Sequence, residues 1–218
     1  MKEKRNLLAG VGLIGVFALW TVLILCVDVQ AVGQNGTKIG LAGFNVWFHQ
    51  LTGVHMTLYT ITDWLGFVPI FICMCFGVLG LVQLIKRRSL RKVDADILLL
   101  GVYYVLVIAC YLIFEMIPIN YRPVLIEGRL EASYPSSTTL LVLSVMPTLM
   151  FQVYRRAVNS MLRKAVAVFV FAFSAFMVIG RLISGVHWAI DIVASVILSA
   201  GLFMLYRSVV LYVDNAKR

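Results

Sequence analysis

Apolar residues along this chain gather into runs of about 20, the length that crosses the hydrocarbon core of a bilayer, and polar segments separate them. Six runs stand out, at 7–27, 65–85, 96–117, 137–154, 164–183 and 188–210. They predict an all-α, polytopic membrane protein with six transmembrane helices, built as a single membrane domain over 1–218 with no internal repeat. The fourth run is short and carries Pro147, which predicts a kink. The first run is longer than a typical signal-peptide core and no small-x-small cleavage site follows it, so it reads as a retained span.

The polar segments differ in kind. Those at 86–95 and 155–164 are short and basic, and read as anchors on one face of the membrane. The segment 28–64 is the longest and reads as an interfacial outer loop. Within it, Gln34-Asn35-Gly36 marks a turn, and Phe44–Leu51 predicts an amphipathic helix with Trp47 and Phe48 at headgroup depth. His49 and His55 lie in the same loop, either as interfacial polar groups or as proton carriers over a site. In 118–136, Pro118, Pro123 and Pro135 argue against a continuous helix.

Composition agrees with the pattern: of 218 residues, 61% are hydrophobic and 13% charged, far from the balance of a soluble domain. Charge adds direction. Lys38, Arg122, Arg129 and Arg181 fall on one side of the six-span layout. All other Lys and Arg residues, Lys217 and Arg218 included, fall on the opposite side. The positive-inside rule therefore predicts cytoplasmic termini and a multi-pass protein of the cell membrane. The net charge of +9 needs no nucleic-acid partner: it is mostly the topology signal, with some attraction to anionic headgroups. Cys26, Cys73, Cys75 and Cys110 fall inside spans as small hydrophobes, and Cys73-x-Cys75 has no histidine near it to complete a metal site. No metal and no cofactor is expected.

The exceptions to the charge rule carry the chemistry. Arg181-x5-His187-x3-Asp191 is set in an apolar stretch, where ionisable groups mark function. If helical, His187 and Asp191 share a face, and the carboxylate can hold the imidazole in one tautomer while its other nitrogen attacks. Arg181 lies across a short Ser184-Gly185 turn and can grip a phosphate with paired hydrogen bonds. Upstream lie Arg122-Pro123 and Ser133–Thr139. The second opens the fourth span, where backbone N–H groups and the helix dipole favour an anion. A Ser/Thr helix cap without a ligand accounts for the same residues.

These residues resemble the type 2 phosphatidic acid phosphatase family, which shares its core with bacterial acid phosphatases and vanadium haloperoxidases. That family shows Lys-x6-Arg-Pro, Pro-Ser-Gly-His and Ser-Arg-x5-His-x3-Asp. The third motif matches at full spacing, with Gly180 in place of its serine. In the first, Arg122-Pro123 is present and Glu115 stands at the lysine position; in the second, Pro135-Ser136 is followed by Ser137-Thr138 instead of glycine and histidine. The resemblance implies a phosphatidic acid phosphatase type 2-like core over about 65–212, bacterial in type. It implies His187 as nucleophile and Asp191 as its orienting acid. Arg122, Arg181, Ser136 and, in the same helix opening, Ser137 would bind phosphate on the extracytoplasmic face.

Thr138 cannot supply the proton that the family's histidine gives the leaving group, a step worth about 10²–10⁴-fold. Three expectations follow. The substrate is a lipid diphosphate, such as a polyprenyl diphosphate, whose phosphate leaving group departs without help because its second pKa is about 6. Or another acid serves a lipid monophosphate: Glu115, Glu127, Glu131, His49 or His55. Or the chain is a catalytically degenerate member that binds or moves phospholipids or partners another membrane protein. Glu115 also reads as an ion pair for Arg122.

Overall fold

The computed structural model describes residues 2–216, so Lys217 and Arg218, assigned above to the inner face, lie outside the described residues. Among the described residues, eight α-helices follow one another: α1 Lys2–Cys26, α2 Ala42–Thr52, α3 Met56–Leu65, α4 Phe67–Arg87, α5 Ala95–Met116, α6 Ser137–Arg156, α7 Ser160–Ile183 and α8 Ala189–Ala216. Among the described residues, six helical stretches are long and apolar enough to cross a membrane: Lys4–Cys26, Met56–Arg87, Ala95–Met116, Ser137–Arg156, Ser160–Ile183 and Ala189–Ala216. Six crossings return the chain to the side on which it began.

One boundary differs from the sequence reading. Residues 56–64, expected in the outer loop, join Leu65 in α3, which runs through Gly66 into α4. The reason lies in α3's own pattern. Leu58 and Thr62 face Gly180 of α7, where an added Cβ would meet Thr62 Cγ2 at 2.8 Å. Packing against α7 therefore draws this segment out of the loop.

The last helix, α8, is the axis of the bundle. Leu198, Leu202, Tyr206 and Val210 pack against Phe17 and Ile24 of α1 and Leu100, Tyr103 and Val107 of α5. The α1–α8 contact is close because Gly10 and Gly201 meet it with no side chain, as membrane helices commonly do where dispersion must replace hydrophobic drive. A second core joins Ile72 of α4, Val142, Val145 and Met146 of α6 and Val170 and Met177 of α7. Phe71, Val102, Val105 and Phe171 point outward, toward the lipid.

Helix α6 continues across Pro147. Near it the Tyr103 hydroxyl donates to the Ser144 carbonyl (3.0 Å) and the Thr148 hydroxyl to the Val145 carbonyl (2.7 Å). At the end of the bundle that holds the termini, Asp96 takes both guanidinium nitrogens of Arg156 (2.7 and 3.0 Å) and Nε of Arg155 (3.2 Å). Arg155 also reaches Asp214 at 2.7 Å, so α5, α6 and α8 are clasped together.

The opposite end carries the longer connections. In the 118–136 segment, Ile126 and Arg129 exchange backbone hydrogen bonds around Glu127-Gly128, both at positive φ, the pattern of a two-residue hairpin turn. Arg122 N donates to Glu131 O and Ser133 N to Asn120 O. This hairpin holds Asn120, Arg122 and Ser133 at fixed register. In the first outer loop, Gln34–Gly36 turns as expected, and Gln34 Nε2 donates to Pro123 O at 2.9 Å. Phe44, Trp47 and Leu51 form an exposed stripe along α2, while Asn45 is buried.

Candidate active site

His187 lies in the turn between α7 and α8, 3% exposed, and not on a helix face with Asp191. Two approaches of the outer loop hold this turn. Gly185 has φ +69, and a Cβ there would fall 2.0 Å from the Gly53 carbonyl oxygen. His55 N donates to Ser184 O (2.9 Å), and His49 Nε2–H donates to Gly185 O (3.0 Å), with the His49 ring 5.6 Å from that of Trp188. His49 thus grips the turn that carries His187 by its backbone. The ring of His55 turns back to Thr52 O.

The ring of His187 is oriented by Ser133, a role that the sequence reading did not assign. His187 Nδ1–H donates to the Ser133 carbonyl at 3.1 Å and lies 3.0 Å from its hydroxyl oxygen. The Ser133 hydroxyl donates to Asp191 Oδ2 at 2.5 Å. Asp191 also accepts from Trp188 N (3.0 Å) and Asn120 Nδ2 (3.1 Å). The direct carboxylate–imidazole bond expected from the four-residue spacing is thus replaced by a relay through Ser133. The helix begins two residues after His187, and the first turn of α8 draws the carboxylate to its own backbone. With Nδ1 carrying the proton, Nε2 carries the lone pair, and it has no protein partner. Burial first, then the charges of Arg122 and Arg181, hold this imidazole well below its ordinary pKa, so it is neutral near pH 7.

Two guanidinium groups lie beside it. Arg181 is 1% exposed. Its Nη2 donates to Asp63 Oδ1 at 2.9 Å and to the Thr138 hydroxyl, while Nε and Nη1 have no partner. Arg122 is held by Glu131, with Nε 3.1 Å from Oε2 but off the hydrogen-bonding angle, and its Nη1 is also unpartnered. The ion pair anticipated for Glu115 is therefore made by Glu131, which the hairpin sets directly across from Arg122. Both guanidiniums lie over the ring of Tyr59, Arg181 at 4.8 Å and Arg122 at 5.7 Å, so one aromatic ring contacts both. Buried N–H groups without acceptors cost about 1–3 kcal/mol each. An anion with several acceptor oxygens would relieve that cost.

The remaining candidates divide. Ser137 and Glu115 line a small cleft with His187, Tyr111 and Pro135. Ser136 is buried at the start of α6, but its hydroxyl donates to Thr139 (3.1 Å) and its carbonyl accepts from Ser195 (2.9 Å). Ser136 therefore ties α6 to α8. Glu127 is exposed at the hairpin turn. Tyr59 and Asp63 were missed. They stand four apart on α3, hence on one face, and a lone carboxylate at the edge of an apolar stretch was the available signal.

Next to the cleft, sharing Tyr111, Ser137 and Leu140 with it, is a cavity of about 540 Å³ between α4, α5 and α6. Its walls are mainly apolar, including Phe67, Ile70, Val107, Ile108 and Leu141, and Asp63, Ser137 and Thr138 also line it.

Residues 118–214 match the PAP2 superfamily. The structure is similar to the crystal structure of the first transmembrane PAP2 type phosphatidylglycerolphosphate phosphatase from Bacillus subtilis. The TM-score is 0.64 at 16% identity, over 96% of this chain and 97% of that chain. At that identity the likeness is one of fold. No curated protein matches.

Proposed function

We propose that this chain, which belongs to the PAP2 superfamily, is a membrane lipid phosphatase that works through a phosphohistidine. The carrying observation is a set of buried nitrogens without protein partners: Nη1 of Arg122, Nε and Nη1 of Arg181 and Nε2 of His187. A phosphate held by the two guanidiniums presents phosphorus to the lone pair of His187. The developing charge on the equatorial oxygens is met by fixed cations in a water-poor site, which is the larger part of phosphoryl-transfer catalysis. Asp191, acting through Ser133, stabilises the imidazolium-like ring that forms. Water then attacks the P–N bond and releases phosphate.

The lipid tail fits the apolar cavity between α4, α5 and α6, and the charge distribution favours a site on the extracytoplasmic face of a cell membrane. Candidate substrates are a polyprenyl diphosphate, phosphatidic acid and, from the fold neighbour, phosphatidylglycerophosphate. The test is phosphate release by purified protein in detergent from each of the three, without added metal, with His187→Ala alongside. Release from at least one lipid, lost in His187→Ala, is expected. Phosphate-lipid binding with no release from any would instead support the degenerate, non-catalytic member.

A further inference from the structure

The second motif offers Thr138 where the proton donor of the resembled family stands, yet the position is not bare of acids. Asp63 reaches it from a different helix. Arg181 Nη2 donates to both Thr138 Oγ1 and Asp63 Oδ1, so a single nitrogen separates the carboxyl from the threonine hydroxyl. The approach depends on Gly180, the residue that replaces the serine of the third motif: a Cβ there would clash with Thr62, the neighbour of Asp63. Asp63 also lines the apolar cavity beside Ser137 and Thr138. The oxygen that joins a lipid to its phosphate must sit where the phosphate site meets the tail cavity, and these three residues line that junction. Of the three, only a carboxylic acid releases a proton near neutral pH.

Resting on the phosphatase reading, we infer that Asp63 is the proton donor to the leaving lipid oxygen and then the base for the attacking water. In the free protein its carboxylate is paired with Arg181, and its side chain is 54% exposed. An arriving lipid phosphate competes for the same guanidinium and, as its monoanion, carries a proton that passes to the freed carboxylate. The first step forms the P–N bond at His187 Nε2 and breaks the P–O bond to the lipid. The electron pair stays on the lipid oxygen, which takes the proton of Asp63 and leaves as an alcohol. In the second step water attacks phosphorus and Asp63 takes its proton. The P–N electron pair returns to His187, and phosphate departs.

Asp63→Asn separates this role from mere support of Arg181, because the amide oxygen still accepts from the guanidinium but no proton is available. Single-turnover release of the leaving group (diacylglycerol, p-nitrophenol or polyprenyl phosphate), which reads the first step alone, is measured for wild type, Asp63→Asn and His187→Ala on three substrates: phosphatidic acid, p-nitrophenyl phosphate and a polyprenyl diphosphate. For Asp63→Asn the expected loss on phosphatidic acid is about 10²-fold or more. The loss is under about 10-fold on the other two, whose leaving groups depart without a proton. Equal loss on all three would make Asp63 a positioning residue and overturn the inference, as would no loss on phosphatidic acid. His187→Ala loses all three in either case. A wild type inactive on every substrate would overturn the phosphatase reading and this inference with it.

Discussion

The two ends of the helix bundle each hold a pair of arginines, and the pairs are partnered in opposite ways. At the end that carries the termini, Arg155 and Arg156 are satisfied by Asp96 and Asp214, and Asp96 accepts three of their hydrogen bonds. At the other end Arg122 and Arg181 are more deeply enclosed, yet they keep four guanidinium nitrogens without hydrogen-bond partners. Burying a charge is costly unless it is paired. The first pair closes its account within the protein and acts as a clasp. The second leaves an electrostatic debt that an anion relieves, and both charges act on His187, whose Nε2 is also unpartnered.

This contrast can be broken from either side. The largest effect is expected from His187→Ala, which removes the nucleophile: turnover should fall by about 10³-fold or more, with an unchanged elution profile in detergent. Retained turnover would remove His187 from the reaction. Next is Arg181→Lys. Lysine keeps the charge but cannot both hold Asp63 and Thr138 and present two further N–H groups, so kcat/KM should drop about 10²-fold. A lysine variant as active as wild type would show that charge alone suffices there.

Ser133→Ala keeps the carbonyl that receives His187 Nδ1–H but cuts the relay to Asp191. A drop of about 10-fold in kcat with little change in KM is expected. No change would mean that the backbone carbonyl alone orients the ring. At the other end, Arg156→Ala should leave turnover at low temperature intact. It should lower the thermal midpoint in detergent by the equivalent of about 1–3 kcal/mol, since the guanidinium is one-third exposed while Asp96 is buried. Loss of turnover without loss of stability would erase the distinction between the two ends.

The smallest effect concerns pH. The native pKa of His187 lies below its unfolded value of about 6.5. As pH falls through about 6.5, the unfolded chain takes up a proton that the native site refuses, and the native state loses stability down to the lower folded value. The thermal midpoint should therefore fall more between about pH 7 and pH 5 in wild type than in His187→Asn. Parallel curves would place the proton elsewhere.

Much of this protein was legible in its residues taken in order. Hydrophobic length alone called for six spans, because a bilayer sets the same 20-residue requirement whatever the spans pack against. The Arg181–His187–Asp191 spacing and Arg122-Pro123 singled out the candidate chemistry, because charged groups are scarce in an apolar chain. Proximity between distant segments was not legible. The Ser133 relay joins a hairpin to a turn 54 residues away, and Asp63 reaches Arg181 across 118 residues. Glu131 took the partner assigned to Glu115 because the hairpin, not linear spacing, decides which carboxylate faces Arg122. Local periodicity is written in the chain itself. Which hydrogen bonds complete a site depends on helices that meet only after the bundle has formed, and only the tertiary structure decided that.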